Sequence, residues 1–282
     1  MVSFKQLTAP LASEVLDIDL AQAVAADVFR AVEDAFNQRS VLVFRNQQIT
    51  PEQHIAFSRG FGELEIHVLK QFLLPGHPEI LVVSNVVEDG KPLGIADAGQ
   101  QWHTDLSYVE KPSRCSLLYA KVIPERDGER TFGDTCFVST AAAYDALDPD
   151  MKAYLGTLKA RHSYYLKRPH ALAKLSEEQR KSVPEVVHPV IRTHPVTGRK
   201  CLYVNESFTT EIVGLPKQES DALLEQLCAH CASERFMYRH RWQVGDVLMW
   251  DNCSTQHLAV ADYGPQQHRY MHRTTVKGGA VY

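Results

Sequence analysis

Gly245-Asp246-Val247-Leu248-Met249-Trp250-Asp251-Asn252-Cys253-Ser254-Thr255-Gln256-His257 is the stretch whose reading decides the fold. Its apolar run, Val247 to Trp250, follows a Gly-Asp pair and stops at Asp251, which predicts a short buried strand over 246–250. A polar turn then leads to His257. Working outward, 270–276 reads as a further strand. Upstream, 80–87 and 116–123 are β-branched and apolar, while 186–192 and 200–204 flank a turn at 194–198. Val24, Val28, Val32 and Phe36 recur at helical spacing, predicting a helix over 21–38, followed by a strand over 40–45. Thr50-Pro51-Glu52-Gln53 combines an N-cap threonine, a proline at the first helical position and a glutamine at the third. The helix it opens runs to about Arg59, where Gly60 and Gly62 end it. Helices are also predicted over 141–155 and 217–231, and the Lys-, Arg- and Glu-rich stretch 164–184 between them is a candidate lid. Many strands wrapped by a few helices imply an α+β chain with a two-sheet core of jelly-roll or barrel type. Without internal repeats, low-complexity tracts or Gly/Ser linkers, 1–282 reads as a single domain.

Composition narrows the function classes. With 44% hydrophobic and 23% charged residues the chain can fill a core and is not of the disordered type. A formal net charge of −4 gives no reason to expect nucleic acid or an anionic membrane as partner. The two short basic runs, Lys167-Arg168 and Arg239-His240-Arg241, read as solvated faces. No basic segment followed by an apolar stretch opens the chain, and no window approaches ~18 apolar residues, so neither a signal peptide nor a membrane span is expected. The six cysteines read as reduced thiols of a cytoplasmic protein. Cys228-x-x-Cys231 falls on a helical pattern without a second ligand pair, so it is not read as a zinc site. A homo-oligomer is expected.

The chemistry is carried by Gln101-Trp102-His103-Thr104-Asp105, which contains H-x-D. On a strand, residues i and i+2 face the same way, so His103 and Asp105 can share one ligand. With one more imidazole they would form the two-His-one-carboxylate triad of non-haem Fe(II) oxygenases, which leaves coordination positions open. His257 can supply it. Arg269 and Arg273 follow, four residues apart and therefore on one face of a strand. A planar guanidinium grips a carboxylate through paired donors, and a buried arginine needs an anionic partner.

WHTD at 102–105, FGDT at 132–135, YRHRW at 238–242, GDVLMWDN at 245–252, TQH at 255–257 and MHRTT at 271–275 occur in this order. From about Leu16 to the C-terminus the chain resembles the taurine dioxygenase and dichlorophenoxyacetate dioxygenase family of α-ketoglutarate-dependent enzymes. The resemblance implies a double-stranded β-helix (jelly-roll) core with flanking helices. It implies Fe(II) on His103, Asp105 and His257, with α-ketoglutarate and O2 as co-substrates. Thr135 and Arg269 would hold the distal carboxylate of α-ketoglutarate, while Arg273 and His67 would contact substrate. The implied reaction hydroxylates a small anionic organic acid (an aryloxyalkanoate, a sulfonate or another carboxylic acid), with C–O or C–S cleavage where the attacked carbon carries such a group. Succinate and CO2 are released. Gly99 stands where the taurine enzyme has a substrate-contacting asparagine, and 125–130 looks like a charged insertion; both argue against taurine itself. YRHRW and the 194–200 hairpin are closer to the dichlorophenoxyacetate branch. Two readings compete: a zinc hydrolase or lyase on the same triad, which gives Arg269 and Thr135 no role, and a non-catalytic β-barrel sensor, which has no need for an intact triad.

Overall fold

In the computed structural model, which describes residues 2–96, 99–126, 130–164, 177 and 184–282, the Val247–Asp251 strand lies between Val41–Phe44 and Cys115–Val122. These belong to an eight-stranded sheet. Its order runs Ser3–Gln6, Ser13–Leu16, Val41–Phe44, Val247–Asp251, Cys115–Val122, Tyr270–Val276, His77–Ser84, Leu73–Leu74. All neighbours are antiparallel except Ser13–Leu16 against Val41–Phe44.

Alternation along these strands divides the core in two. Leu42, Phe44, Leu117, Tyr119, Val247 and Met249 share one face with Val32 and Phe36 of the helix Ala26–Arg39 and with Ile55 and Phe57 of Pro51–Arg59. Val41, Val43, Leu118, Ala120, Leu248 and Trp250 face the other way, toward Phe137. Both faces are covered, which is why the run 247–250 is apolar without alternation. Each of these large side chains contributes roughly 1.5–3 kcal/mol by leaving water.

Phe137 belongs to Thr135–Ser139, the central strand of a three-stranded sheet with Met237–His240 and Thr255–Ala259. The two sheets face each other and form the jelly-roll core expected of an α+β chain. A third cluster, including Leu155, Leu202, Leu224 and Leu227, packs the helix Lys217–Cys231 against small sheets outside it.

Several predicted boundaries change for identifiable reasons. The first helix starts at Ala26 rather than 21, because the backbone of Ala21 is held in a turn by the Asp19 carboxylate (2.9 Å) and the Gln53 side-chain amide (2.8 Å). The predicted helix 141–155 is two helices, Thr140–Asp145 and Pro149–Leu155. Asp148 caps the second through the Met151 N–H (2.8 Å), with Pro149 at its first turn. The 80–87 strand is His77–Ser84, and 186–192 divides into Val186–Pro189 and Ile191–Thr193. The capping box at Thr50 forms as read. Gly60 has an ordinary helical φ of −58°, and a Cβ there would push on the Phe29 ring, 2.5 Å away. The run 239–241 is not a uniformly solvated face: Arg239 pairs with Asp134 at 2.6 Å, but strand alternation turns His240 into the core beside Asp246 (3.1 Å). Lys167-Arg168 and the interior of the proposed lid 164–184, apart from Glu177, lie outside the described residues. No helix among the described residues is long and apolar enough to cross a membrane.

Candidate active site

His103 and His257 meet through their backbones. His103 N–H donates to the His257 carbonyl (3.1 Å) and His257 N–H to that of His103 (2.8 Å), an isolated bridge that sets the imidazole centroids 4.0 Å apart. Phe137 stacks on His257 from the opposing strand. His103 is therefore at a bridge and Asp105 in a turn, where Leu106 takes φ +57°; they are not strand neighbours as the H-x-D spacing predicts. The turn nonetheless brings Asp105 Oδ1 to 3.8 Å from His103 Nε2 and 4.0 Å from His257 Nε2.

Each group is in the state a metal requires. The Gln101 carbonyl accepts from His103 Nδ1 (2.8 Å), so Nδ1 carries the proton and Nε2 offers a lone pair. Burial, together with His103 alongside, pushes His257 well below its ordinary pKa and keeps it neutral. Burial alone would raise Asp105. The Arg273 guanidinium and a hydrogen bond from Ser116 outweigh it and hold the carboxyl well below its usual range. The three ligand atoms lie within 4.8 Å of one another and all three residues are buried, a donor set that fits Fe(II).

A cleft open to solvent joins His103 and His257 to Thr135, Arg269 and Arg273. Arg269 lies one residue before the Tyr270–Val276 strand. Its backbone is clamped by Asn85 and Ser84, and the residue is 5% exposed. Among the described residues no carboxylate pairs with it and its Nε has no partner; burial lowers its pKa, opposed only by Tyr263. A guanidinium so placed fits an incoming carboxylate. Thr135 Oγ1 accepts from Trp242 Nε1 (3.0 Å), which leaves the hydroxyl proton to donate into the cleft. Gly133 (φ +73°) permits this packing, since a Cβ would stand 3.3 Å from Arg269 Cδ and Nε.

Arg273 lies between two spaces. Its Nη1 is 3.2 Å from Asp105 Oδ1, and it also lines a small cavity with His67, Glu65, Glu79 and Leu106. Burial and Arg273 push His67 down to about 4, and its Nδ1 accepts from Leu69 N (3.2 Å), so it is a neutral imidazole with Nε2 protonated. Next to His103 stands an aromatic wall that the sequence reading assigns no role: Phe208 edge-on to the imidazole at 6.0 Å, then Tyr108 at 4.7 Å from Phe208. Ser116 and Asn252, both bonded around Asp105, were also unassigned. Asn252 falls within the quoted GDVLMWDN motif, but nothing in the apolar run 116–123 marks Ser116 as different from core.

A second group with metal-like donors, His194, Asp251 and Cys253, has a structural explanation. His194 Nδ1 accepts from Val196 N (3.2 Å) and Thr197 N (3.0 Å), so Nε2 is protonated and donates to Asp251 (2.6 Å). Arg114 pairs with the same carboxylate at 2.5 Å, and burial pushes the Cys253 thiol up to about 12. All six cysteines are free thiols.

The sequence matches the family described as Taurine catabolism dioxygenase TauD, TfdA family over residues 3–275. It is 38% identical to an alpha-ketoglutarate-dependent 2,4-dichlorophenoxyacetate dioxygenase of Cupriavidus pinatubonensis, covering 96% of both chains. It is 35% identical to the pentalenolactone F synthase of Streptomyces arenae, covering 82% of this chain and 80% of that one. Among solved structures, a taurine dioxygenase from Burkholderia xenovorans superposes with a TM-score of 0.83 at 30% identity, covering 99% of this chain and 90% of the other. AAD-2 in complex with Mn(II) and N-oxalylglycine gives 0.83 at 32% identity, covering 100% and 99%. The chain belongs to the TauD, TfdA family and is an Fe(II)- and α-ketoglutarate-dependent dioxygenase that consumes O2.

Proposed function

We propose that His103, Asp105 and His257 hold the iron, that Thr135 and Arg269 hold the distal carboxylate of α-ketoglutarate, and that Arg273 with His67 receives the acidic group of a small organic acid. The single observation that carries this reading is the buried Arg269, without an acidic partner among the described residues, opening into the same cleft as His103 and His257. The match over 3–275 supports one catalytic domain spanning the chain. Fe(II) held by His103, Asp105 and His257 would supply O2 activation, coupled to the conversion of α-ketoglutarate to succinate and CO2 and to hydroxylation of the substrate.

The protein's own part is placement. Arg269 and the Thr135 hydroxyl fix one end of α-ketoglutarate, so its other end is presented to the triad without a search. Phe137, Trp250 and Leu118 line the cleft between them and limit water there. Arg273 holds the substrate anion next to Asp105, while beside the triad Phe208, edge-on to His103, packs with Tyr108 and Leu69 in one apolar cluster. That pairing of one cation with an aromatic wall favours an aryl-bearing acid over a compact zwitterion, and the 38% identity to a dichlorophenoxyacetate dioxygenase agrees in kind. Aryloxyalkanoates are the substrate class we favour.

Arg273→Gln keeps a donor for Asp105 but removes the charge. The KM for an aryloxyalkanoate should rise about 10- to 100-fold, the worth of one charged hydrogen bond, with the KM for α-ketoglutarate nearly unchanged. Steady-state kinetics with each substrate varied in turn measures both. An unchanged KM for the acid would remove Arg273 from substrate recognition.

A further inference from the structure

We propose that Ser116 and Asn252 are positioning residues that commit Asp105 to a single metal-facing oxygen. The proposal rests on the reading of His103, Asp105 and His257 as metal ligands.

The hydrogens of this network can be assigned from the heavy atoms. Asn252 is 1% exposed, and its Oδ1 faces Trp250 Nε1 (3.0 Å) and Asp105 N (3.3 Å), both of which can only donate. The amide must therefore turn its NH2 toward Ser113 Oγ (3.0 Å) and Ser116 Oγ (3.1 Å). Each serine accepts there and keeps its own proton to give. Ser113 donates to the Asp105 carbonyl (3.1 Å), and Ser116 donates to Asp105 Oδ2 (2.7 Å). Oδ2 is thereby engaged on the side away from the imidazoles, and Oδ1 is the oxygen left facing both Nε2 atoms.

The relay is itself anchored. Asp251, the neighbour of Asn252, points the opposite way and is fixed by Arg114, His194 and Ser254. Ser116 sits in register with Trp250 across the central strands. The carboxylate is thus oriented by rigid sheet at one end and a fully bonded turn at the other. A carboxylate free to rotate could present both oxygens and fill a position that the co-substrates need. Loss of the Ser116 donor should therefore weaken metal binding and not merely loosen the fold.

The test is titration of the metal-free full-length protein with Mn(II), following the EPR signal of free Mn(II). Ser116→Ala should raise the Kd about 10- to 100-fold, the usual effect of removing a hydrogen bond behind a metal ligand. Ser113→Ala is the comparison, since it loses a bond of the same network without touching the carboxylate oxygens. It should cost less than about threefold at a similar fall in melting temperature. Asn252→Asp provides a second, isosteric variant, because a carboxylate there accepts from both serines and turns the Ser116 proton away from Asp105. It should match Ser116→Ala. Wild-type affinity in folded Ser116→Ala or Asn252→Asp overturns the relay and leaves the triad standing, as does an equal loss in the two serine variants. A wild-type protein that binds Mn(II) no better than His103→Ala overturns the triad reading and the relay with it.

Discussion

Arg269→Met should lose α-ketoglutarate by about 10²- to 10⁴-fold in Kd while leaving the protein at least as stable as the wild type. The two effects have one cause. Arg269 is a buried cation with no carboxylate to pair with among the described residues, so in the ligand-free fold its charge is a cost. Replacing a buried charge by an apolar side chain of similar length is commonly neutral or stabilising by about 1–4 kcal/mol. Once the co-substrate is bound, the same guanidinium becomes half of a buried ion pair, and removing one half of such a pair costs about 3–5 kcal/mol. Calorimetric titration of the Mn(II)-loaded protein with α-ketoglutarate, with thermal melts of the free protein, measures both. Weaker binding accompanied by a large loss of stability would show that Arg269 is a structural residue.

Asp105→Asn should abolish metal retention, raising the Mn(II) Kd beyond about 10³-fold, above the ~10- to 100-fold expected when only a supporting residue is removed. The substitution preserves shape, so the change isolates charge. Asp105 is the only carboxylate among the three ligand-atom donors, and Arg273 and the Ser116 hydroxyl favour its ionised form. An amide there supplies no negative charge to the metal and leaves Arg273 Nη1, at 3.2 Å, facing a neutral group. Metal content after desalting, measured by mass spectrometry, checks it. Stoichiometric metal in Asp105→Asn would mean that Asp105 is not a ligand.

Much of the site was legible because its residues belong to motifs whose order survives folding. The route to it was less so. The H-x-D spacing predicts strand neighbours, whereas His103 sits at a single bridge and Asp105 in the turn that follows, with Leu106 at positive φ. The two side chains converge because the backbone of His103 is paired with that of His257, a contact over more than 150 residues that no local period encodes. The four-residue spacing of Arg269 and Arg273 predicts strand mates, but Arg269 precedes the strand, and the register against Cys115–Val122 shifts at Tyr270/Met271. The central strands were legible because covering both faces requires unbroken apolar runs. That same requirement hid Ser116, whose place in such a run gives no hint that its hydroxyl faces a carboxylate. The break between Asp145 and Pro149 is encoded in Asp148-Pro149, an N-cap followed by proline, although the helical pattern continues on either side of it.

The most direct measurement is succinate formation from α-ketoglutarate by the Fe(II)-loaded protein in O2, with and without an aryloxyalkanoate, in wild type and His103→Ala. The expected result is succinate that needs Fe(II), rises with the acid, matches hydroxylated product in amount and disappears in His103→Ala. Succinate formed equally well by His103→Ala, or no α-ketoglutarate binding by the wild-type protein, would contradict the assignment of this cleft as the oxygenase site.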